Sequence, residues 1–483
     1  MKSMKGENIH FIGVGGASMS ALAKFVAQAG GVVTGSDREK SAITENLEKL
    51  FPVYYGEHPE AVEKCNKVVY SSAIASDNLE LSCARELKIP TLERHEFLGQ
   101  LCKEFQKTVA VAGTHGKTTV TAMIAHGLSV LEENFSAHIG GETEYGNLIL
   151  AGDKIFVTEA CEYRQSLLSI QPHIAILLNV ELDHPDCYFD IKQLLCVFLT
   201  FLEKGEIQIF PSKLIDICKD VHMNIEGYEK MSSAVKAVEE MGNCRKDGVI
   251  VFSNGKVEIW SQENIRAVDG KILVDILVDG QLRDAMCLPD KDNSTVQNAL
   301  FFFATVDSLG HGVSKMKKTL LSFKGVKRRK ELVGYLEGAK VVFDYAHHPT
   351  QIDNIISSFE GKNLVVFQPH TYTRTKAYFE DFVSSLSTSD KLVIMETYGA
   401  RENVIEGADS ASLASQISTI IAKERVEYIN THDKTLEYVI SNKSGFDNIL
   451  FLGAGDIYLL KDKILPYLDD VGDVEIKDVM KVF

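Results

Sequence analysis

A lysine followed by two threonines at the head of a helix is an arrangement that handles phosphate. This chain carries one at Gly113-Thr114-His115-Gly116-Lys117-Thr118-Thr119. The run lies between an apolar stretch, Thr108–Ala112, and a helical pattern with Val120, Met123, Ile124 and Leu128 on one face. Glycines let backbone N–H groups turn inward onto phosphate oxygens, Lys117 can reach the β- and γ-phosphates, and Thr118 can ligate Mg2+. The general phosphate-loop pattern wants a glycine at Val111, which is missing. The strand–loop–helix setting still makes ATP the expected ligand rather than an idle glycine turn.

Two further strand ends carry acids or histidine. Thr158-Glu159-Ala160-Cys161-Glu162 follows the apolar run Lys154–Val157, and Asn179-Val180-Glu181-Leu182-Asp183-His184 follows Ile174–Leu178. In a parallel sheet such ends converge on the edge where the phosphate loop lies. Glu159 is therefore expected to hold a metal on the phosphates, with His184 at a second metal or the reacting centre. Nearer the start, Gly13-Val14-Gly15-Gly16-Ala17-Ser18 has the form of a dinucleotide loop, with Asp37 where a ribose-binding acid is expected. By itself it fits a nicotinamide dinucleotide or a UDP-type diphosphate equally well.

The elements that must position these residues alternate. A strand at Ile9–Val14 precedes a helix bearing Met19, Leu22, Val26 and Ala29, which ends at Gly30-Gly31, and a second strand leads to Ser36-Asp37. Further strands are expected at Lys340–Phe343, Asn363–Phe367, Lys391–Met395 and Asn448–Leu452. From Asp247 to Met286 the rhythm changes to short β pieces parted by Asn254-Gly255, Asp269-Gly270 and Asp279-Gly280, an antiparallel meander. The expectation is an α/β protein with domains at 1–106, 107–324 and 325–483, consistent with 483 residues. The formal charge of −16 disfavours nucleic acid and anionic membrane as partners. Nine cysteines without a CxxC pair, and the lack of a signal-peptide or membrane-spanning pattern, lead to the expectation of a reduced, cytoplasmic enzyme.

Taken together the motifs resemble the Mur ligases. Ile9–Ala23 is similar to their opening UDP-binding loop and Ala112–Thr119 to their ATP loop. The likeness runs over essentially the whole chain, through Ser71–Ile74, Glu159–Tyr163, Asp183–Tyr188, Gly325–Arg329, Asp344–Thr350, Phe367–Thr375, Glu396–Glu402 and Gly453–Ile457. Tyr345–Thr350 and Gln368-Pro369-His370 with Arg374 resemble the branch that adds the first amino acid to the UDP sugar. The resemblance implies a Rossmann-like UDP-binding domain, a P-loop ATPase-like central domain with a small antiparallel section, and a Rossmann-like C-terminal domain, closing around their ligands. It also implies that the lactyl carboxylate of UDP-N-acetylmuramate is activated by ATP and Mg2+ as an acyl phosphate and captured by a small amino acid, L-alanine, in peptidoglycan precursor synthesis.

By the same resemblance Gly15, Gly16, Ala17, Ser18, Met19, Ser20, Asp37, Ser71 and Ser72 would hold the UDP sugar. Gly113–Thr119, Asn298 and Arg329 would hold ATP, and Thr118, Glu159 and His184 the metal. Tyr345, His347, His370 and Arg374 would hold the amino acid, and Lys117, His184, His348 and Arg374 would be catalytic. The chain would be a monomer or homodimer.

Three positions depart from the family. Ser18 replaces a glycine, the adenine segment Asp292–Ala299 keeps Asn298 but lacks its histidine, and Thr371 stands where many members have arginine. Competing readings are the family's tripeptide-recycling ligase, a silent UDP-sugar binder, and a nicotinamide-dependent oxidoreductase. The last leaves Gly-Lys-Thr-Thr unexplained.

Overall fold

The computed structural model describes residues 4–221, 248–400 and 402–469. By compactness it divides into two units: residues 1–181 with 190–324, and residues 182–189 with 325–483.

The first unit holds two sheets. Five parallel strands, β1 (Asn8–Ile12), β2 (Val32–Asp37), β3 (Val53–Tyr55), β4 (Lys67–Tyr70) and β5 (Thr91–Glu93), lie in the order β3-β2-β1-β4-β5. β1 is central, and Ile9, Phe11 and Ile12 are buried, as a strand covered on both faces requires. Ile12 is in register with both Ser36 and Tyr70, so the loop that follows it opens at the point where the strand order reverses. The Ala17–Gln28 helix returns over the sheet with Met19, Leu22, Phe25 and Val26 buried, and Gly30 at φ +88 turns the chain out of it.

The second sheet has ten strands: β6 (Lys107–Ala112), β7 (Phe135–Thr143), β8 (Gly146–Leu150), β9 (Ile155–Glu159), β10 (Ile174–Leu177), β11 (Ile207–Pro211), β12 (Val249–Ser253), β13 (Lys256–Val268), β14 (Lys271–Val278) and β15 (Gln281–Leu288). Their order is β15-β14-β13-β12-β11-β10-β6-β9-β7-β8. The five strands from β11 to β7 run parallel, while β8 and β12–β15 are antiparallel additions. The meander thus continues the main sheet. Its three turns have positive φ at both central residues, the geometry for which Asn-Gly and Asp-Gly are suited. Asp247, where the meander is expected to begin, lies outside the described residues. The β7–β8 hairpin has no counterpart among the sequence expectations, because Gly140-Gly141 and the polar Glu142–Glu144 interrupt its apolar pattern.

The two sheets share packing. Phe105 stacks on Phe156 at 4.7 Å, and Phe25 meets Phe156 edge-on. Gly99, on the Arg94–Cys102 helix, lies so close to the Tyr163–Ser169 turn that an added Cβ would sit 2.2 Å from the Ser169 carbonyl oxygen.

The second unit is a six-stranded sheet of β16 (Glu331–Leu336), β17 (Ala339–Asp344), β18 (Asn363–Phe367), β19 (Lys391–Met395), β20 (Val426–Ile429) and β21 (Asn448–Leu452), ordered β16-β17-β21-β18-β19-β20. Only β16 is antiparallel. Among the described residues no helix is long and apolar enough to cross a membrane.

The Gly99 contact makes a prediction. Gly99→Ala should destabilise the first unit by about 1–3 kcal/mol, the cost of overpacking. The single tryptophan, buried Trp260 on β13, reports unfolding of this unit by fluorescence. An unchanged transition would mean that the helix does not approach the turn this closely.

Candidate active site

The phosphate loop leaves β6 at its carboxyl end. Register pairs Val111 with Glu159 and Ala112 with Leu177, so the ends of β9 and β10 flank it. Gly113 has φ +134, and a Cβ there would press on Leu178 and the Asn179 backbone. Gly116, at φ +83, precedes the Lys117–Val130 helix. The loop is pinned from the β10 side: Thr114 Oγ1 donates to the Glu181 carbonyl at 2.8 Å and accepts from its N–H at 3.0 Å. The His115 N–H donates to Asn179 Oδ1 at 2.9 Å. The His115 ring lies 3.1 Å from the Glu181 carboxylate. Asn298 also reaches the loop, its Oδ1 lying 3.4 Å from where a Cβ on Gly116 would stand.

Lys117 folds back onto its own loop. Its ammonium donates to both Glu162 oxygens, at 3.1 and 2.9 Å, and to the carbonyls of Gly113 and Thr114. Glu162 is 1% exposed. Burial alone would favour a neutral lysine, but Glu162 above all outweighs it and holds the ammonium pKa above its ordinary value. Glu159 sits beside this pair, and its Oε1 accepts from the Gly140 N–H at 2.6 Å. Thr118 is buried in the first turn of the helix. A hydroxyl and a carboxylate oxygen are the hard donors that Mg2+ prefers, so this donor set fits such an ion.

At the first glycine loop the N–H groups of Gly13 and Val14 donate to the Ser36 carbonyl at 2.8 and 3.0 Å, and Gly15 N–H donates to Asp37 Oδ2 at 2.7 Å. Asp37 therefore braces the loop. Ser71 follows β4 and stands against Gly13, where an added Cβ would lie 3.3 Å from its own Cβ. Arg164, with Ser72 O 3.4 Å from its Nη1, belongs to a consecutive left-handed pair with Gln165. Met19 is 2% exposed, and Ser20 Oγ donates back to the Ala17 carbonyl. The Met19 side chain lies against Gly16, 3.9 Å from where a Cβ there would stand. The structure thus brings Gly15, Gly16, Asp37 and Ser71 together around one helix start.

The second unit gathers another group of the expected residues. Arg374, buried, donates through Nη2 and Nε to Asp183 Oδ1 at 3.0 and 3.3 Å. Asp183 and His184 belong to the 182–189 segment, which is compact with this unit. His184 has φ +56. Burial favours a neutral Asp183 but is overcome by Arg374, His184 and His347, which hold the carboxyl well below the usual range. The His347 and His370 rings are 6.0 Å apart, and His370 stacks on Tyr398. Burial, helped by the Arg374 charge, lowers the pKa of both: His347 well below its ordinary value and His370 to about 4. Both are neutral at pH 7. His348 begins the Pro349–Ser357 helix, its ring edge-on to Tyr378. Tyr345 lies under the guanidinium groups of Arg328 and Arg329, each 4.8 Å from the ring centre.

Sequence reasoning left Glu162 and Asp183 off the candidate list. Each stands in a segment it noted, and the signal in both cases was a second acid within the same strand end. Arg328, which stacks between Tyr345 and Tyr458, carried no such signal.

A parallel sheet delivering a phosphate loop, a paired lysine and acidic strand ends to one edge defines a nucleotide-using α/β enzyme. Family models match in three places: the Mur ligase family catalytic domain over residues 8–106, the Mur ligase middle domain over 111–214, and the Mur ligase glutamate ligase domain over 328–455. The UDP-N-acetylmuramate–L-alanine ligase of Acetivibrio thermocellus is 36% identical over 482 residues, covering 95% of this chain and 97% of that one. The enzyme of the same name from Clostridium perfringens is 34% identical, covering 93% and 96%. The fold is shared with the solved UDP-N-acetylmuramate–alanine ligase of Thermotoga maritima (24% identity, TM-score 0.73, 95% and 98% covered). A murein peptide ligase of Psychrobacter arcticus also shares it (19% identity, TM-score 0.64, 96% and 99% covered). This chain belongs to the Mur ligase family and is an ATP-dependent, amide-forming ligase of three α/β domains.

Two predictions follow from the buried charges. Lys117→Ala should destabilise the ligand-free protein by roughly 3 kcal/mol, because it leaves Glu162 buried and uncompensated, and adding Glu162→Gln should recover part of the loss. Additive effects in that double-mutant cycle would refute the pair. In the second unit, His347 and His370 stay neutral when folded but take up protons in the unfolded chain below about pH 6.5. Their contribution is fully present above that pH and is lost as pH falls toward 4, with Asp183 adding a further loss below the ordinary carboxylate range. His370→Asn should flatten the dependence of urea stability on pH between 7 and 4, and an unchanged slope would remove His370 from this account.

Proposed function

We propose that the amide is formed between L-alanine and the lactyl carboxylate of UDP-N-acetylmuramate, a step in peptidoglycan precursor synthesis. The observation that carries this reading is the Lys117–Glu162 pair on the phosphate loop, in a chain whose curated relatives of that activity match it from end to end. We divide the chain at 106 and 324, with the UDP sugar on the first domain, ATP on the second and the amino acid on the third.

The carboxylate of the sugar attacks the γ-phosphorus of ATP, ADP leaves, and the amine of alanine then attacks the acyl phosphate carbonyl and expels phosphate. Two anions must meet in the first step, and it is Lys117 that neutralises them. Incoming phosphates replace Glu162 as its partner, while the N–H groups of Gly116–Thr119 receive phosphate oxygens. Mg2+, held by Thr118 and Glu159, would supply additional charge neutralisation on the phosphates. Asn298 lies beside the loop to meet the nucleotide.

Arg374 holds Asp183 through Nε and Nη2 and its Nη1 lies 3.4 Å from His370 Nδ1, so the alanine carboxylate takes one of these donors in exchange for its present partner. A histidine with a pKa near 4 is a poor acceptor for an ammonium proton. His370 and His347 therefore orient the amine, with Tyr345 beside them, and His184 or His348 takes its proton.

The test is phosphate release from ATP with Mg2+ and UDP-N-acetylmuramate, adding amino acids singly. L-Alanine should be required, mass spectrometry should show the UDP-sugar–alanine product, and Lys117→Met should lower turnover at least ~10³-fold. A requirement for glycine or serine would move the acceptor assignment. Release with a tripeptide alone would mean the recycling ligase, and silence throughout would leave a UDP-sugar binder.

A further inference from the structure

Ser18 departs from the family glycine, and its hydroxyl is fully used. Arg94 Nη1 donates to Ser18 Oγ at 3.2 Å, and Ser18 Oγ lies 2.9 Å from His138 Nε2. His138 Nδ1 lies 3.1 Å from Thr158 Oγ1, which donates to the Glu159 carbonyl at 3.2 Å. One proton arrangement satisfies every link. Arginine only donates, so Ser18 accepts from it; Thr158 spends its proton on the Glu159 carbonyl, so the neutral ring donates from Nδ1 and its Nε2 accepts the Ser18 hydroxyl proton. His138 is then the neutral Nδ1–H tautomer, donating to Thr158. The ring is 3% exposed, and burial, followed by the charge of Arg94, pushes its pKa down to about 3. A glycine at position 18 would leave Nε2 buried without its donor.

This chain of bonds aims Arg94 at the start of the Ala17–Gln28 helix, which has no acidic residue in its first turn and no side-chain cap. Asn147 on β8 donates to the Ala17 carbonyl at 2.9 Å and fixes the same turn from the second sheet. Arg94 makes no ion pair among the described residues. Its neighbours are occupied: Glu93 pairs with His95, and Glu96 accepts from the Glu93 N–H. A half-buried guanidinium without a counter-anion, in a chain of net charge −16, beside a bare helix N-terminus, is a site short of negative charge.

We infer that Arg94 is a binding residue for the diphosphate of the UDP sugar, aimed by Ser18, with His138 as the positioning residue behind it. The inference rests on the proposed function, since it assumes that this loop takes a UDP sugar. It places one diphosphate contact on the helix that follows β5, outside the glycine loop.

Calorimetric titration of the full-length protein tests it, with UDP-N-acetylmuramate and separately UDP, in the presence of Mg2+ and a non-hydrolysable ATP analogue. Arg94→Ala should weaken both ligands by roughly ten- to hundredfold, the worth of a charge-assisted hydrogen bond. Arg94→Lys should recover part of the loss, and the KM for ATP should stay unchanged. Ser18→Ala should weaken both ligands less than Arg94→Ala, and Arg94→Ala/Ser18→Ala should be no worse than Arg94→Ala alone. A loss confined to UDP-N-acetylmuramate would overturn the diphosphate assignment, and unchanged affinity for both would overturn the role of Arg94. Should Arg94→Ala fail to fold, Arg94→Gln carries the same test. Wild-type protein that binds neither ligand would instead sink the proposed function.

Discussion

A lysine ammonium buried at the head of a helix faces the positive end of the helix dipole and needs an anion. Lys117 finds one in Glu162, three residues beyond the end of β9. The arrangement around the phosphate loop depends on that pair. It requires β9 beside β6 in parallel register, so that the chain leaving β9 passes within reach of the loop. It also requires glycines at 113 and 116, because both take positive φ angles that side chains resist.

The second unit solves a related problem with opposite emphasis. Arg374 is buried among histidines that burial, and then its own charge, keep neutral, and Asp183 balances it. Glu402, which accepts from Thr373, is a second carboxylate beside His370. Thr371, next to His370, has φ +68, an unusual backbone for a β-branched residue. Strain of this kind gathers at ligand sites.

At the first glycine loop the acids work inward. Asp37 is committed to Gly15, and Glu80 accepts from Ser36 while lying against buried His10. The loop is thereby held in shape by groups of the protein itself. The Ser18–His138–Thr158 bonds tie this loop to the strand that ends at Glu159, so the two ligand edges of the first unit are joined by polar as well as apolar packing.

The sequence by itself determined what is local. Apolar runs, glycine breaks and Asn-Gly or Asp-Gly turns specify strands and turns through neighbouring residues, so β6, β18, β19, β21 and the meander turns were legible. The phosphate loop was legible for the same reason, since its chemistry lies within seven consecutive residues. Tertiary structure decided the partnerships. That Glu162 rather than Glu159 meets Lys117, that Asp183 rather than a ligand meets Arg374 in the free protein, and that Ser18 answers to Arg94 and His138 all depend on strand order and register, which bring together residues far apart in the chain. A carboxylate carries no mark in sequence of which cation it will face. Its partner is set by the geometry of burial, where leaving either charge alone costs more than the pair returns.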